Sequence, residues 1–376
     1  MKATHTAETS NRQLSRILEK AEIETPLSSG EIALLLHLKS PAQLNLLFKT
    51  ARHLRQKYFQ NKIFLYGFIY TSTFCRNDCR FCYYRRSNTR SRRYRKTTPQ
   101  IVSTAVRLAE SGVHLIDLTM GEDPLLFQKD VVAGDRLCDL VSSVSGATGL
   151  PVMVSPGRVP ERILKRLKIS GAAWYACYQE THTQHLFDRL RPGQDFSRRL
   201  KMKSIAHRLG LLVEEGVLCG VGENTSDMVR SIEAMRALNA DQVRVMKFVP
   251  QQGTPMANHA SADTGSDSLI IGVLRLVFPH RLIPASLDLD GIAGLKNRLD
   301  AGANVVTSIV PPGQGLAGVA RHSLDIEEGN RTCGVVSESL NQWGYAAASR
   351  DAYLEWIDSR RPAAAPEPDR KMRCNS

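Results

Sequence analysis

A chain of 376 residues with 50 lysines and arginines against 37 aspartates and glutamates carries a formal charge of +13, and its residues are 42% hydrophobic and 23% charged. That balance suits a globule with a large buried core and excludes fibrous and wholly disordered chains. No apolar run approaches the roughly 20 residues of a membrane span, and the polar first dozen residues are unlike a secretory signal, so a cytoplasmic enzyme is expected. Seven of the positive charges (Arg85, Arg86, Arg90, Arg92, Arg93, Arg95 and Lys96) fall within twelve residues that contain no acid. The rest of the chain is unremarkable in charge. The run reads as a solvated loop in preference to a nucleic-acid contact.

In chain order, the first 12 residues read as loose. Ser28 and Glu31 are spaced as a capping box ahead of Ile32, Leu35, Leu36 and Leu38. Ser40 as N-cap, Pro41 at the first helical position and Gln43 closing a second box predict a helix with Leu44, Leu47, Phe48, Ala51, Leu54 and Tyr58 on one face. From residue 63 short apolar runs recur, at 63–70, 114–119, 151–155, 173–178, 217–221, 243–249, 282–288 and 305–310. Helical stretches lie between them at 98–111, 160–169, 198–209, 225–238, 266–277 and 292–301. Eight buried strands alternating with helices predict a parallel α/β architecture. A closed (βα)8 TIM barrel fits the count. An open doubly wound sheet fits the periodicity as well, although no GxGxxG follows the first strand. The expected organisation is an N-terminal helical extension over 1–59, the barrel over 60–325, and a C-terminal helix with a disordered, Pro- and Ala-rich tail over 326–376.

The eight cysteines are unevenly spread. Cys75, Cys79 and Cys82 crowd together after the first strand, at the end where barrels place their reactive groups. Cys177 and Cys219 read as small core residues, Cys138 lies in a helical stretch, and Cys333 and Cys374 fall outside the barrel pattern. Structural zinc and most iron–sulfur clusters take four protein ligands. Cys-x3-Cys-x2-Cys offers three, which points to a four-iron cluster with one iron left open. The alternative is a zinc completed by a distant Cys or His, for which no CxxC or HxxxH follows.

With Phe81 in the aromatic place, Cys-x3-Cys-x-aromatic-Cys resembles the signature of radical S-adenosylmethionine (SAM) enzymes. The stretches 69–84, 117–124 (DLTMGEDP), 178–181 (YQET), 216–223, 243–255 (VRVMKFVPQQGTP), 281–292 (RLIPASLDLDGI) and 301–312 (AGANVVTSIVPP) together resemble the methylornithine synthases of that superfamily. The layout is also similar to biotin synthase and the iron-hydrogenase maturase. The resemblance implies a (βα)8 barrel of the radical SAM type, and a 4Fe–4S cluster on Cys75, Cys79 and Cys82 with SAM on its open iron. It further implies isomerisation of L-lysine to (3R)-3-methyl-D-ornithine, the first step of pyrrolysine biosynthesis. A 5′-deoxyadenosyl radical would take hydrogen from C4. The lysyl radical would then fragment across Cα–Cβ and recombine.

Site residues follow by the same resemblance. Phe81 would lie beside the adenine, and Met120, Gly121 and Glu122 would offer carbonyls to the SAM ammonium. Glu180 would hydrogen-bond SAM, Arg199 (or its neighbour Arg198) would pair with its carboxylate, and Gly220 would end the adenine-binding stretch. Gly121 would permit a close approach, or simply make a turn. On the substrate side, Arg244 would take the carboxylate. Ser286 and Asp288, two apart and hence on one face, would take carboxylate and α-ammonium, and Asp117 the side-chain ammonium. Each of these charges is equally compatible with an ion pair closing the barrel. Tyr83, Tyr84 and the arginine-rich loop are expected over the cofactor mouth, with an electron donor such as flavodoxin or ferredoxin as partner. Two other readings stand beside this one: a radical SAM enzyme with another small substrate, and an iron–sulfur or zinc protein binding RNA through residues 85–96.

Overall fold

The computed structural model describes residues 2–127, 132–263, 265–311 and 331–360. Its framework is eight parallel strands: β1 (Lys62–Ser72), β2 (Leu115–Met120), β3 (Val152–Ser155), β4 (Ala172–Ala176), β5 (Leu212–Cys219), β6 (Gln242–Lys247), β7 (Pro284–Ser286) and β8 (Val305–Ile309). They run β6-β5-β4-β3-β2-β1-β8-β7 around the barrel. The remaining seam, between β6 and β7, is joined at its base by a bridge from Gln242 to Leu282, with the Val243 amide donating to the Leu282 carbonyl at 3.0 Å. Above that point the two strands are not hydrogen-bonded among the described residues. The result is a barrel closed at its N-terminal end and parted along one side at its C-terminal end, not an open sheet.

All of β1 beyond Lys62 is buried, because one face meets the barrel interior and the other the helix layer. That outer layer is a shell of Leu, Ile and Val side chains between strands and helices. Helices Thr225–Leu238 and Ser266–Val277 have the predicted bounds. Gly302, at φ +115°, marks the turn into β8; a Cβ there would lie 3.0 Å from the Arg275 Cβ.

Several expectations are corrected. The supposedly loose start is a helix, Lys2–Glu22. The Ser28–Glu31 capping box is present. The one at Ser40 is not: its side chain makes no cap bond, and the Gln43 amide donates to Asn11 Oδ1. β5 begins at Leu212 and not at 217, and β4 ends at Ala176, short of Tyr178. Helix Gln184–Leu190 had no forecast. Beyond β8 the chain forms helix Cys333–Gln342, the short β9 (Ala346–Ala347) beside the start of β1, and helix Arg350–Arg360. The expected tail beyond Arg360, with Cys374, lies outside the described residues.

The last helix sits under the barrel. Tyr353 donates to the Tyr66 hydroxyl at 2.8 Å, Tyr66 to Gln242 Oε1 at 3.1 Å, and Trp356 stacks on Trp174. Phe64, Leu115, Met153, Leu212, Leu282 and Val305 complete this apolar plug.

Candidate active site

Side chains alternate between the two faces of a strand, so each barrel strand contributes every second residue to the interior. The lowest interior row is the plug. The next rows are polar: Asp117 and Thr119 on β2, Glu214 on β5, Arg244 on β6, Thr307 on β8, and Tyr178 just beyond β4. Higher still are Glu180, Leu218, Ser286 and Asp288. All of these except Glu214 line one cavity, which also reaches Phe81 and Cys82. The cavity therefore joins the cysteine loop to the charged residues on the far wall.

The cysteine loop follows β1 and is held on all sides. The Arg76 amide donates to the Glu122 carbonyl and the Arg80 amide to the Leu190 carbonyl, both at 2.9 Å. Glu122 is buried, with Oε1 accepting from Arg199 Nη1 and the Arg158 amide, both at 2.9 Å, and Oε2 from Arg76 Nε at 3.1 Å. Burial would push this carboxyl up, but Arg199 and the other donors hold it below the ordinary range. A Cβ on Gly121 would lie 2.3 Å from the Phe74 carbonyl oxygen and 2.9 Å from the Cys75 Cβ. The loop's own backbone thus accounts for the glycine.

The basic run braces the same loop. Arg93 donates to the carbonyls of Thr73, Tyr84, Arg85 and Asn88. Arg95 makes a two-pronged pair with Asp123 at 2.7 and 2.9 Å and lies over the Phe74 ring, and Arg86 pairs with Asp78. The expected solvated loop holds in part: Arg86, Arg90, Arg92 and Arg95 are exposed, while Arg93 and Arg95 turn their guanidinium groups onto the loop's own carbonyls and Asp123. Tyr83 and Tyr84 are buried beside it, Tyr83 donating to the Arg90 carbonyl and lining the cavity.

Around the thiols, Cys79 Sγ accepts from Arg191 Nη1 at 3.3 Å and Gln194 Nε2 at 3.1 Å. Burial raises Cys75 to about 11 and Cys82 to about 12, so a metal binding there displaces thiol protons. Among the described residues no three His, Cys, Asp or Glu side chains form a closed metal-ligand group. The fit rests instead on the donor set. Three soft thiols share one short loop at the cavity edge, and the buried Glu180 Oε2 on the cavity wall has no hydrogen-bond partner among the described residues. Soft donors suit an iron–sulfur cluster, and an unpartnered buried carboxylate oxygen suits a polar ligand beside it.

The sequence profile of the radical SAM superfamily matches residues 69–235. A 3-methylornithine synthase of Methanosarcina acetivorans is 42% identical over 335 residues, covering 89% of this chain and 94% of that protein. The chain belongs to the 3-methylornithine synthases, within the radical SAM superfamily. The crystal structure of methylornithine synthase (PylB) superposes with a TM-score of 0.86 at 41% identity, covering 90% of this chain and 99% of that one. The FeFe hydrogenase maturase subunit HydE of Thermotoga maritima is 30% identical over 263 residues, 69% of this chain and 74% of its own. Membership in this superfamily implies a 4Fe–4S cluster and SAM.

Within this methylornithine synthase, the four residues expected at the substrate (Asp117, Arg244, Ser286 and Asp288) all line the cavity, as do Phe81 and Glu180 from the cofactor set. Gly121, Glu122, Met120, Arg199 and Gly220 do not. Met120 ends β2 against the outer core. Arg199 is committed to Glu122 and to the Tyr178 carbonyl, which Nε reaches at 2.8 Å. Gly220 has φ +87° where a Cβ would meet Ala262, and its amide donates to Glu223 at 2.7 Å.

Three residues were missed. Arg191 bridges Glu180 Oε1, at 2.6 Å, to Cys79; nothing in the sequence sets it apart from other arginines. Glu214 accepts from Arg244 Nε at 2.6 Å and from the Tyr178 hydroxyl at 2.8 Å. Tyr178 stands in the YQET stretch beside Glu180, and Glu214 interrupts an apolar run as Arg244 does on β6. Glu180 itself has φ +68°, an uncommon conformation for a non-glycine. Its amide donates to the Gly216 carbonyl and its carbonyl accepts from Leu218, so a backbone bridge to β5 holds it there.

Proposed function

We propose that the enzyme isomerises L-lysine to (3R)-3-methyl-D-ornithine, and that the one cavity spanning Phe81, Cys82 and Glu180 on one side and Asp117, Arg244, Ser286 and Asp288 on the other carries that reading. Cys75, Cys79 and Cys82 would hold the 4Fe–4S cluster, and Phe81, Glu180 and the carbonyls near Met120 would face SAM. Arg191 is as well placed as Arg199 to meet the SAM carboxylate. When bound, the cluster and SAM would supply hydrogen-atom abstraction from a substrate held nearby.

The residues of this chain decide which hydrogen is within reach. Asp117 takes the side-chain ammonium, while Arg244, Ser286 and Asp288 take the amino-acid head. The substrate is then fixed at both ends, and position selects the carbon that reacts. Anchors at both ends also suit a reaction in which the substrate splits and rejoins, because each fragment keeps a charged group in its own subsite. A buried carboxylate calls for a paired partner, and lysine's side-chain ammonium would provide one for Asp117, which accepts from the Thr119 hydroxyl. A reduced, SAM-supplied compartment such as the cytoplasm suits the chemistry, with flavodoxin or ferredoxin as the electron source.

The test is anaerobic reconstitution with iron and sulfide, followed by incubation with carbon-13 lysine, SAM and a reductant. A branched diamino acid with the label rearranged is expected. Unchanged lysine alongside SAM cleavage would overturn the substrate assignment.

A further inference from the structure

The carboxylate of Asp288 is already engaged. The Ser286 and Ser308 hydroxyls donate to Oδ2 at 2.9 and 2.8 Å. Arg331 donates to Oδ1 at 3.0 Å and to the Asp288 backbone carbonyl at 3.3 Å. Ser308 reaches it from a left-handed conformation, φ +69°. Arg331 is 2% exposed and lies beyond β8, past the barrel strands. Its carbonyl accepts from the Val310 amide at 3.0 Å, and the next residue, Thr332, caps helix Cys333–Gln342. Two backbone anchors therefore fix the guanidinium behind Asp288, where it does not itself line the cavity. Its Nε has no partner among the described residues.

Charge matching gives this arrangement a consequence. Arg244 is paired with Glu214, and Arg331 with Asp288, so each ion pair is close to neutral. Asp117 has the Thr119 hydroxyl, but no cation at hydrogen-bond distance among the described residues. A ligand that matches this pattern brings a neutral zwitterion to one end and a lone ammonium to the other. Lysine does; a diamine does not, because its second ammonium would meet a carboxylate already neutralised by Arg331, and no carboxylate would meet Arg244.

We propose that Arg331 is a positioning residue that, through Asp288, makes the site select an α-amino acid over the corresponding amine. The inference rests on the lysine reading above. Removing the guanidinium leaves Asp288 as an unbalanced anion, less well oriented for the zwitterion and more attractive to a simple ammonium.

The test measures binding of L-lysine and of 1,5-diaminopentane, lysine without its carboxylate, to reconstituted, SAM-loaded enzyme. In Arg331→Gln, loss of a charge-assisted hydrogen bond is expected to weaken lysine binding about tenfold or more, with the diamine unchanged or tighter. Arg331→Lys, which keeps the charge, is expected to retain most of the selectivity; should the glutamine variant not fold, Arg331→Met, which also removes the charge, takes its place with the same expectation. A glutamine variant with an unaltered ratio overturns the inference. A wild-type enzyme that shows no preference for lysine overturns the lysine reading instead, so the two failures are distinguishable.

Discussion

Asp117 is a buried acid whose hydrogen-bond partner is a hydroxyl. Burial, and next the charge of Glu214, raise its carboxyl to about 7. Glu214 cannot move away, since Arg244 and Tyr178 hold it at 2.6 and 2.8 Å. With no ammonium beside it, Asp117 is therefore protonated below about pH 7 and ionised above it. An ammonium ligand stabilises the ionised form, so binding releases a proton on the acid side and none on the alkaline side. The apparent lysine affinity of SAM-loaded enzyme is expected to be nearly flat around pH 8 and to fall by up to about tenfold per unit below about pH 7. In Asp117→Asn that slope should vanish and binding should weaken roughly 30-fold, the order of a lost buried charge partner. Equilibrium titration with labelled lysine at several pH values checks both; a slope that survives the substitution would assign the proton elsewhere. Glu215, next door, faces the opposite way. It pairs with the fully buried Lys203 in the helix layer and accepts from the Gln179 and Gly216 amides, both at 2.8 Å. Burial opposes ionisation there, but Lys203 and His182 bring the carboxyl down to about 2. Two adjacent glutamates thus have separate tasks because a strand turns successive residues to opposite faces.

At the scale of elements, the site depends on loops held against strand ends. The cysteine loop is gripped by Glu122 from the end of β2, by Leu190 from helix Gln184–Leu190, and by its own arginine-rich continuation. Gly121 is the tightest contact in that grip. Gly121→Ala would drive a methyl into the Phe74 carbonyl and the Cys75 Cβ, and neither can yield without moving the loop. The expected outcome is a folded protein with substantially reduced iron content after reconstitution, measured by metal analysis beside circular dichroism. Full iron loading would mean that the loop has slack. Arg199 belongs to this grip too, since it shares Glu122 with Arg76. The family resemblance implied that it pairs with the SAM carboxylate; its partners among the described residues are Glu122, Tyr178 and Gln194.

At the scale of the whole molecule, the segment after β8 serves both ends of the barrel. Arg331 reaches Asp288 at the open end, and Tyr353 fills the closed end beneath Tyr66. Tyr353 is fully buried among Phe64, His114 and Tyr66. Tyr353→Ala should cost about 3 kcal/mol or more, as for other large aromatic truncations in cores, read from the midpoint of urea unfolding. A shift well below this would mean that the helix docks loosely. Resemblance to the family supplied Asp117, Arg244, Ser286 and Asp288, whereas sequence pattern alone determined the strand–helix alternation, most element positions and the three-thiol loop. Those patterns are local: apolar runs of strand length and cysteines at short spacing. The start of β5 was hidden because Glu214 and Glu215 broke the apolar run, and the inward bonds of Arg93 were hidden because its partners are carbonyls that only folding brings near. Tertiary structure decided that Arg191 meets Cys79, that Glu214 sets Arg244, and that Arg331 returns to Asp288 from 43 residues along the chain. Pairings at such separation follow from barrel closure, which aligns residues by height and strand order, and neither quantity is written in a local pattern.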